Sequence, residues 1–409
     1  MFNTDHTNFV VADTTAPFDF IKDNGYYTVN GKVFCWRVDA LQEATRTNTQ
    51  PQWHFNDSEF SKVDWRTPTG IPITELYRMR AQQLRNKYDY LVVAWSGGAD
   101  STTIVDSFLQ NNIPLDEILI AWPVSQSKGK YTLNGSVDAS NMPSEWDYTI
   151  QPKIDFYQRN YPKLKITVCD YLQDDLKLHE DVEDTVYMME KYSYVSVKKY
   201  RAIDDVINAR NKQYNNVALI GGIAPAQPII VDDYFAIHFF DSMMNSFIRT
   251  AHRLDGSPRR VEFFYSSPDF PELMKEQAHL LYNYFSKNTK YVPMLSKLSM
   301  QPDRTLKSVN IKKDTELLRH IRKGVLYPNW DLNIFQVNKP ELSISFCEWY
   351  SWFYNNPHAR EFIDPWTSAV RSQEALIDSK YFVYRDGQAI NYKIFTTKPY
   401  IIGKLNLEN

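Results

Sequence analysis

The sequence predicts an α/β protein with a mostly parallel sheet, a mainly helical C-terminal region and a small β-hairpin near each end. Three features lead to this prediction. Short apolar strand patterns alternate with amphipathic helix patterns over residues 74–220, as in parallel sheets with crossover helices. A glycine turn joins the first of these strands to the start of a helix. Asn-Gly and Asp-Gly pairs stand between β-prone arms near the two ends.

The two predicted hairpins have the same construction. In the first, over residues 26–36, the arms flank Asn30 and Gly31, a pair that favours a type I′ turn because both positions need φ > 0. In the second, over residues 381–397, the arms flank an Asp-Gly pair. We expect the two hairpins to lie outside the parallel sheet and to pack together.

The alternating series begins with an amphipathic helix over residues 74–87. Four strands are predicted after it, at residues 90–95, 118–122, 165–169 and 217–220, with helices between them at residues 102–109, 150–159 and 203–213. Alternation of strand and helix implies parallel strands joined by right-handed crossovers. We expect the fourth strand to close the series.

The pattern divides the chain into three parts. An N-terminal extension with a hairpin covers residues 1–73, and the parallel-sheet core covers residues 74–265. A helical region that ends in a hairpin covers residues 266–409, with helices predicted at residues 272–285 and 315–323.

Composition and charge exclude several classes of protein. The formal net charge is −3, so no overall attraction to nucleic acid or to an anionic membrane is expected. The three cysteines, Cys35, Cys169 and Cys347, are too few and too scattered for a disulfide scaffold or a four-cysteine zinc site. No signal peptide and no run of about 18 apolar residues are present, so we expect a cytoplasmic protein without a membrane partner.

The strongest functional motif is the hexapeptide Ser96-Gly97-Gly98-Ala99-Asp100-Ser101, the first glycine loop. Because it joins a buried strand to a helix, free backbone N–H groups and the positive end of a helix dipole should converge there on an anion. The glycines allow φ > 0 and the close approach of a phosphate, and the serines add hydroxyl donors. Asp100 would repel a bare phosphate, which indicates a bridging Mg²⁺. The sequence therefore predicts a nucleotide site.

The spacing of the loop differs from the P-loop pattern Gly-x-x-x-x-Gly-Lys-Ser/Thr and from the dinucleotide pattern Gly-x-Gly-x-x-Gly. It resembles the PP-loop of the N-type ATP pyrophosphatases, the adenine nucleotide alpha hydrolase-like superfamily. That group includes asparagine, GMP, NAD, lysidine and thiouridine synthetases and the phosphoadenylylsulfate reductases. The resemblance covers six residues with the strand and helix around them, and it implies a Rossmann-like sheet and cleavage of ATP to AMP and pyrophosphate.

The resemblance implies an adenylating ligase or transferase that uses Mg²⁺ and ATP to activate an acceptor oxygen. A nucleophile then displaces AMP, with amide or other C–N bond formation favoured. The pyrophosphate portion would lie on the backbone N–H groups of Gly97, Gly98 and Ala99 and on Ser96 and Ser101. Asp100 would position the metal, so Asp100 and Ser101 are the catalytic candidates. The acceptor is an unidentified small molecule or macromolecule. Nucleic acid is expected only as a substrate. The protein could also form a homo-oligomer.

Two further strand ends are candidates for the same site, because open parallel sheets bind ligands at the carboxyl ends of their strands. Trp122 and Val124 follow the second strand, where the resemblance places the adenine pocket, and a core role for Trp122 is the alternative. Gly221 and Gly222 begin the second glycine loop, residues 221–227, after the fourth strand. This loop resembles the one that encloses the activated substrate in asparagine synthetase-type enzymes, although their Gly-x-Gly-Ala-Asp-Glu motif is absent.

Other polar residues supply weaker candidates. Asp232 and Asp233 are either Mg²⁺ or amine ligands or solvated turn residues. His238 and His252 are either acid–base groups or structural residues. Two basic clusters could stabilise the charge on the leaving pyrophosphate, namely Arg249, Arg253, Arg259 and Arg260, and Lys307, Lys312 and Lys313.

Two alternative functions stay open. A sulfur transferase or reductase of the phosphoadenylylsulfate reductase type would use Cys169 as its nucleophile, whereas Cys347 does not match the Glu-Cys-Gly tail of the reductases. A nucleotide-binding protein without turnover is the other alternative. We expect no glutaminase half of the asparagine synthetase kind, because residue 2 is Phe2 instead of cysteine.

The chain also resembles uncharacterised bacteriophage proteins labelled phosphoadenylylsulfate reductase-like or asparagine synthase-like. Residues 88–93 and the run Leu115-Asp116-Glu117-Ile118 carry this resemblance. It implies a modification enzyme that works in the host cytoplasm on a phage or host molecule.

Overall fold

The structure is a computed structural model and describes residues 25–34, 37–122, 124, 145–170, 194–222, 226–241, 260–299, 309–334, 373–385 and 388–405. In chain order the elements are β1 (Tyr26–Val29), β2 (Lys32–Phe34), α1 (Arg37–Thr47), β3 (Gln52–His54), α2 (Asp57–Phe60), α3 (Ile73–Lys87), β4 (Tyr90–Ala94), α4 (Ala99–Leu109), β5 (Glu117–Ala121), α5 (Gln151–Asn160), β6 (Lys165–Cys169), α6 (Tyr194–Asn211), β7 (Val217–Gly221), β8 (Gln227–Val231), β9 (Tyr234–His238), β10 (Arg260–Phe263), α7 (Pro271–Lys287), α8 (Val292–Ser299), α9 (Val309–Leu326), β11 (Phe382–Arg385), β12 (Gln388–Tyr392) and β13 (Tyr400–Lys404). A π-helical turn, Trp146–Ile150, leads into α5.

A parallel sheet of five strands forms the centre of the protein, in the order β10-β7-β4-β5-β6. All four pairings are parallel, so the carboxyl ends of the strands lie along one edge. From β4 the chain adds β5 and β6 on one side, and it later adds β7 and β10 on the other. The strand order therefore changes direction between β4 and β7. The sheet confirms the predicted α/β class.

The central strands are apolar on both faces, as expected for a covered parallel sheet. Side chains alternate between two cores, with Leu91 and Val93 in the larger one and Val92 in the smaller one. Ile203 and Ile207 of α6 close the smaller core. None of the described helices is long and apolar enough to cross a membrane.

The prediction that the fourth strand ends the series is wrong, because β10 adds a fifth parallel strand beside β7. Its sequence is Arg-Val-Glu-Phe, and the acidic residue Glu262 is buried within it. Arg80 Nη2 lies 2.9 Å from Glu262 Oε2, and Lys87 Nζ lies 2.9 Å from its Oε1. These two cations come from α3, far earlier in the chain. The sequence around Glu262 alone therefore did not indicate that this acidic residue could be buried in a strand.

A second sheet, of order β13-β9-β8, is antiparallel and was not predicted. Strand β13 comes from the C-terminal part, where Ile401 pairs with Ala236 of β9. The C-terminal part therefore combines helices α7, α8 and α9 with strands. Helix α9 begins six residues before the predicted helix 315–323, and α6 begins nine residues before the predicted helix 203–213.

The first hairpin has the predicted turn, with φ of 48° at Asn30 and 78° at Gly31. In the second hairpin β12 ends at Tyr392, so the predicted arm to residue 397 is too long, and the turn residues 386–387 lie outside the described residues. The expected contact between the hairpins involves residues that flank them, because Phe395 follows β12 by three residues and Arg37 begins α1. The rings of Tyr27 and Phe395 meet edge to face at 6.1 Å, and the Arg37 guanidinium lies 5.7 Å from the Tyr392 ring.

Residues on the two sides of each predicted domain boundary are in contact. The boundaries themselves stay predictions. One hydrophobic core runs from Tyr27 through the parallel sheet to Leu405. His279 Nε2 lies 2.9 Å from the carbonyl oxygen of Trp65.

A buried ion pair lies at the amino end of β5, opposite the glycine loops. Arg210 of α6 donates two hydrogen bonds to Glu117, with distances of 2.6 Å and 2.9 Å. Burial by itself would raise the pKa of Glu117, but hydrogen bonds from Arg210, Thr167 and Tyr90 outweigh it and hold the pKa below its usual value. The carboxylate is therefore ionised and depends on its cation.

Substituting Arg210→Met should lower the free energy of unfolding by about 3–5 kcal/mol, because a buried carboxylate loses its cation. The double variant Arg210→Met/Glu117→Gln should recover more than half of this loss, since no charge is left buried. Urea unfolding of both variants measures the difference. Equal stability of the single and double variants would contradict this account.

Candidate functional site

The first glycine loop connects β4 to α4 at the point where the strand order changes direction. Helix α4 begins at Ala99 and not at the predicted position 102, so half of the hexapeptide forms the first helical turn. Gly97 has φ of +77°, and Gly98 precedes the helix without a side-chain cap. The first N–H groups of a helix have no partner within it. The backbone N–H groups at the start of α4 therefore carry the positive end of the helix dipole, and no described side chain caps them.

The two serines of the loop have different surroundings. Ser101 is buried, and its Oγ accepts a hydrogen bond from Ser96 N at 3.1 Å and donates one to Gly98 O at 3.3 Å. Ser96 is exposed, and its Oγ lies 3.3 Å from that of Ser101. Ser101 thus holds the loop in shape, and Ser96 is the hydroxyl that faces solvent.

The second glycine loop contacts the first. Strand β7 ends at Gly221, which pairs with Ala94 at the end of β4. A Cβ atom placed on Gly222 would lie 3.1 Å from Ser101 Cα and 3.2 Å from Ser101 N. The absence of a side chain at Gly222 therefore lets the two loops touch. Residues 223–225 lie outside the described residues.

Asp100 is held by two tyrosines from other parts of the chain. The hydroxyl of Tyr327 donates to Asp100 Oδ1, and the hydroxyl of Tyr265 donates to the Asp100 carbonyl oxygen at 2.6 Å. Burial, and then the charge of Asp100, raise the pKa of Tyr327 well above its usual value, so this hydroxyl stays a donor. Within the described residues no donor reaches Asp100 Oδ2.

Arg322 of α9 is a buried cation at the same place. Its Nη1 donates to Gln227 Oε1 at 2.8 Å, at the end of the second glycine loop. Burial lowers the pKa of Arg322, while the charges of Tyr327 and Asp100 oppose this effect. Arg322 was not predicted as a site residue, because the sequence of α9 is rich in charge. The usable signal was its spacing of four residues from both Leu318 and Leu326, which places it on the apolar face.

Lys153 of α5 is a second cation near the loop that was not predicted from the sequence. It follows Ile150 by three residues on the same helical face, and Ile150 Cγ1 would lie 2.9 Å from a Cβ on Gly97. The Lys153 ammonium lies 4.9 Å from the centre of the Trp330 ring. Burial lowers its pKa, and the charges of Asp106 and Asp331 oppose this.

The predicted base-pocket residues lie at the end of β5. Trp122 is 6% exposed, and its ring centre lies 6.2 Å from that of Trp146. Val124 is partly buried against the same core. The Trp122 ring is thus part of the core, and a role of Trp122 and Val124 in binding a base stays a prediction.

Several predicted candidates lie away from the loops. Arg260 is the first residue of β10 and pairs with Ala218, whereas the carboxyl end of the strand is at Phe263. Lys313 is exposed and lies about 13 Å along α9 from Arg322. Of the other basic and histidine candidates, these lie outside the described residues: Arg249, Arg253, His252, Arg259, Lys307 and the side chain of Lys312.

The acidic pair Asp232 and Asp233 forms the exposed turn between β8 and β9, with φ of 53° at Asp232. This turn is about 15 Å along β8 from Gln227, so the solvated alternative describes the pair better. His238 is buried beside Gln227, its partner in the β8–β9 register. Its ring meets Phe240 at 4.9 Å.

Cys169 ends β6 and is partly buried, whereas Cys35 and Cys347 lie outside the described residues. Burial, with the charges of Glu117 and Asp205 adding to it, raises the pKa of the Cys169 thiol to about 11. Thiolate is the reactive form of cysteine, so this environment disfavours a nucleophile at neutral pH.

No protein-family model and no curated protein matches the chain. The geometry of the two glycine loops is therefore the basis for the function proposed below.

Substituting Gly222→Ala should lower the free energy of unfolding by about 1–3 kcal/mol, because the methyl group would press on the backbone of Ser101. The matched variant Gly98→Ala should cost less than about 1 kcal/mol, since φ is −78° there and the nearest atom is 3.6 Å away. Urea unfolding compares the two. An equal loss in both variants would argue against the loop contact.

Alkylation of Cys169 by iodoacetamide at pH 7 should be about 100-fold slower than that of an ordinary cysteine, because its pKa is raised from 9.0 to about 11. The rate should increase with pH up to about pH 11. Mass spectrometry of the Cys169 peptide over time measures it. Rapid labelling at neutral pH would show a reactive thiol and revive the sulfur-transfer alternative.

Proposed function

We propose that this protein binds Mg²⁺-ATP at the first glycine loop and cleaves it between the α- and β-phosphates. An acceptor oxygen would attack the α-phosphorus, AMP would be transferred to that oxygen, and pyrophosphate would leave. One observation carries the proposal. An uncapped helix start with a positive-φ glycine lies where the strand order of a parallel sheet changes direction. Such a point is where doubly wound sheets bind their ligands.

The strand order and the loop spacing together support the finer interpretation, a Rossmann-like sheet with a PP-loop. The order β10-β7-β4-β5-β6 places the first strand of the series in the middle, as in doubly wound nucleotide-binding sheets. The contact at Gly222 places the backbone of the second glycine loop beside the first turn of α4.

The phosphate groups of ATP would accept hydrogen bonds from the N–H groups at the start of α4 and from the exposed Ser96 hydroxyl. Negative charge builds on the leaving pyrophosphate, so cations near the loop lower the barrier. Arg322 and Lys153 are the described cations whose surroundings adjoin the loop. They replace the two basic clusters predicted from the sequence as our candidates for this role.

The residues present fit a metal ion that arrives with ATP. Mg²⁺ is commonly held by one or two carboxylates, the phosphates and water. Asp100 Oδ2 offers one such carboxylate oxygen, and no group of three potential metal-ligating side chains occurs among the described residues. Asp100 would be the protein ligand, and the bound ion would neutralise phosphate charge.

The sulfur-transfer alternative is less well supported. Cys169 lies on β6, two strands and about 10 Å from β4, and its raised pKa keeps it protonated. Formation of an amide or other C–N bond therefore stays the favoured second step, with the acceptor unidentified. A nucleotide-binding protein without turnover would keep the same loop, and the products formed from ATP distinguish it.

Wild-type protein given ATP, Mg²⁺ and a host metabolite and tRNA extract should release AMP and pyrophosphate. The variant Gly98→Ala should bind ATP at least about tenfold more weakly, a loss of about 1.4 kcal/mol, because a methyl group would occupy the phosphate position. Calorimetry measures the binding, and mass spectrometry identifies the products.

The matched pair Asp100→Asn and Asp232→Asn provides the control, because each removes one carboxylate charge. Only Asp100→Asn should abolish turnover, since Asp232 lies in an exposed turn away from the loop. Release of ADP and phosphate would overturn the proposal. Tight ATP binding without AMP formation would favour the binding protein.

A further inference from the structure

We propose that Tyr327 is a positioning residue that orients Asp100 toward the metal ion of Mg²⁺-ATP. The inference rests on the proposed function and adds to it a residue of the C-terminal part. Tyr327 directly follows α9, and its hydroxyl donates to Asp100 Oδ1. A phenol has one hydrogen to donate, so this bond occupies one carboxylate oxygen and leaves Oδ2 to a ligand.

The position of the Tyr327 hydroxyl is fixed by the elements around it. The side chain is 3% exposed, and its ring centre lies 5.9 Å from that of Tyr265. The neighbouring Leu326 carbonyl accepts a hydrogen bond from Tyr77 of α3 at 2.7 Å. Gln277 Nε2 donates to the same Tyr77 oxygen at 3.0 Å. The end of α9 is therefore held independently of the loop it contacts.

The main chain of Asp100 is held as well as its side chain. Tyr265 donates to the Asp100 carbonyl oxygen at 2.6 Å, so the main chain that carries the carboxylate is also held in place. Partners that hydrogen-bond to a metal-binding side chain orient it, and their loss typically weakens metal binding about 10- to 100-fold. Tyr327 is such a hydrogen-bonding partner of Asp100.

Helix α9 also reaches the second glycine loop, through the hydrogen bond from Arg322 to Gln227. Tyr327 lies five residues after Arg322, directly beyond the end of the same helix. One helix end thus contacts both loops, and it brings a buried positive charge near Asp100. This arrangement favours a role for α9 within the site.

The test is the Mg²⁺ dependence of ATP binding, measured by calorimetry at a series of Mg²⁺ concentrations. Tyr327→Phe should raise the Mg²⁺ concentration for half-maximal binding about tenfold. The matched control is Tyr90→Phe, because the Tyr90 hydroxyl donates to buried Glu117 at 2.9 Å at the opposite end of the sheet. That variant loses a comparable hydrogen bond and should keep the wild-type Mg²⁺ dependence.

A double-mutant cycle separates positioning from general stability. Asp100→Asn keeps an acceptor for Tyr327 and should remove the Mg²⁺ effect on ATP binding. In that background, Tyr327→Phe should change the Mg²⁺ dependence no further. If Tyr327→Phe does not fold, the Asp100→Asn variant still tests the inference. Wild-type Mg²⁺ dependence of ATP binding in Asp100→Asn would overturn it, because Asp100 would then not be the metal ligand.

The outcomes distinguish the inference from the proposed function. If the wild-type protein binds ATP and Tyr327→Phe binds it with the same Mg²⁺ dependence, the positioning role is overturned and the proposed function stays intact. Absence of ATP binding by the wild-type protein would overturn the proposed function itself.

Discussion

The contact between the two glycine loops is the constraint on which the site depends. Parallel pairing of β4 with β7 brings Gly221 level with Ala94, and Gly222 then lies against the first turn of α4. Any larger residue at Gly222 would separate the loops by pushing on the backbone. Strand order, loop conformation and the uncapped helix start are therefore linked, because the two loops meet only while β4 and β7 stay adjacent.

Charges are arranged differently at the two ends of the sheet. At the amino ends, Glu117 and Arg210 form a closed pair in which both partners are satisfied by the protein. At the carboxyl ends, Asp100 keeps one oxygen without a donor among the described residues, and Arg322 makes its hydrogen bond to a neutral amide. A closed pair stabilises the fold, whereas a carboxylate oxygen to which no described residue donates, such as Asp100 Oδ2, can bind a ligand.

Local patterns predicted the elements that depend on nearby residues. The strand 165–169 and the type I′ turn at Asn30 were predicted correctly, because apolar alternation and turn chemistry are short-range signals. Strand β10 was missed because Glu262 is neutralised by α3, more than 170 residues earlier in the chain. The hexapeptide could be chosen as a candidate phosphate-binding loop from its sequence. Its tyrosine partners could not be predicted, because no sequence periodicity links Asp100 to Tyr327.

The separation of Asp100 and Tyr327 by 227 residues has a consequence for synthesis of the protein. All five strands of the parallel sheet and both glycine loops leave the ribosome before the end of α9 does. Domains generally fold from the N-terminal side as the chain emerges. A nascent chain that has formed its sheet still lacks the hydroxyl that holds Asp100. The site is therefore completed late in translation, when the last turn of α9 reaches a loop made long before it.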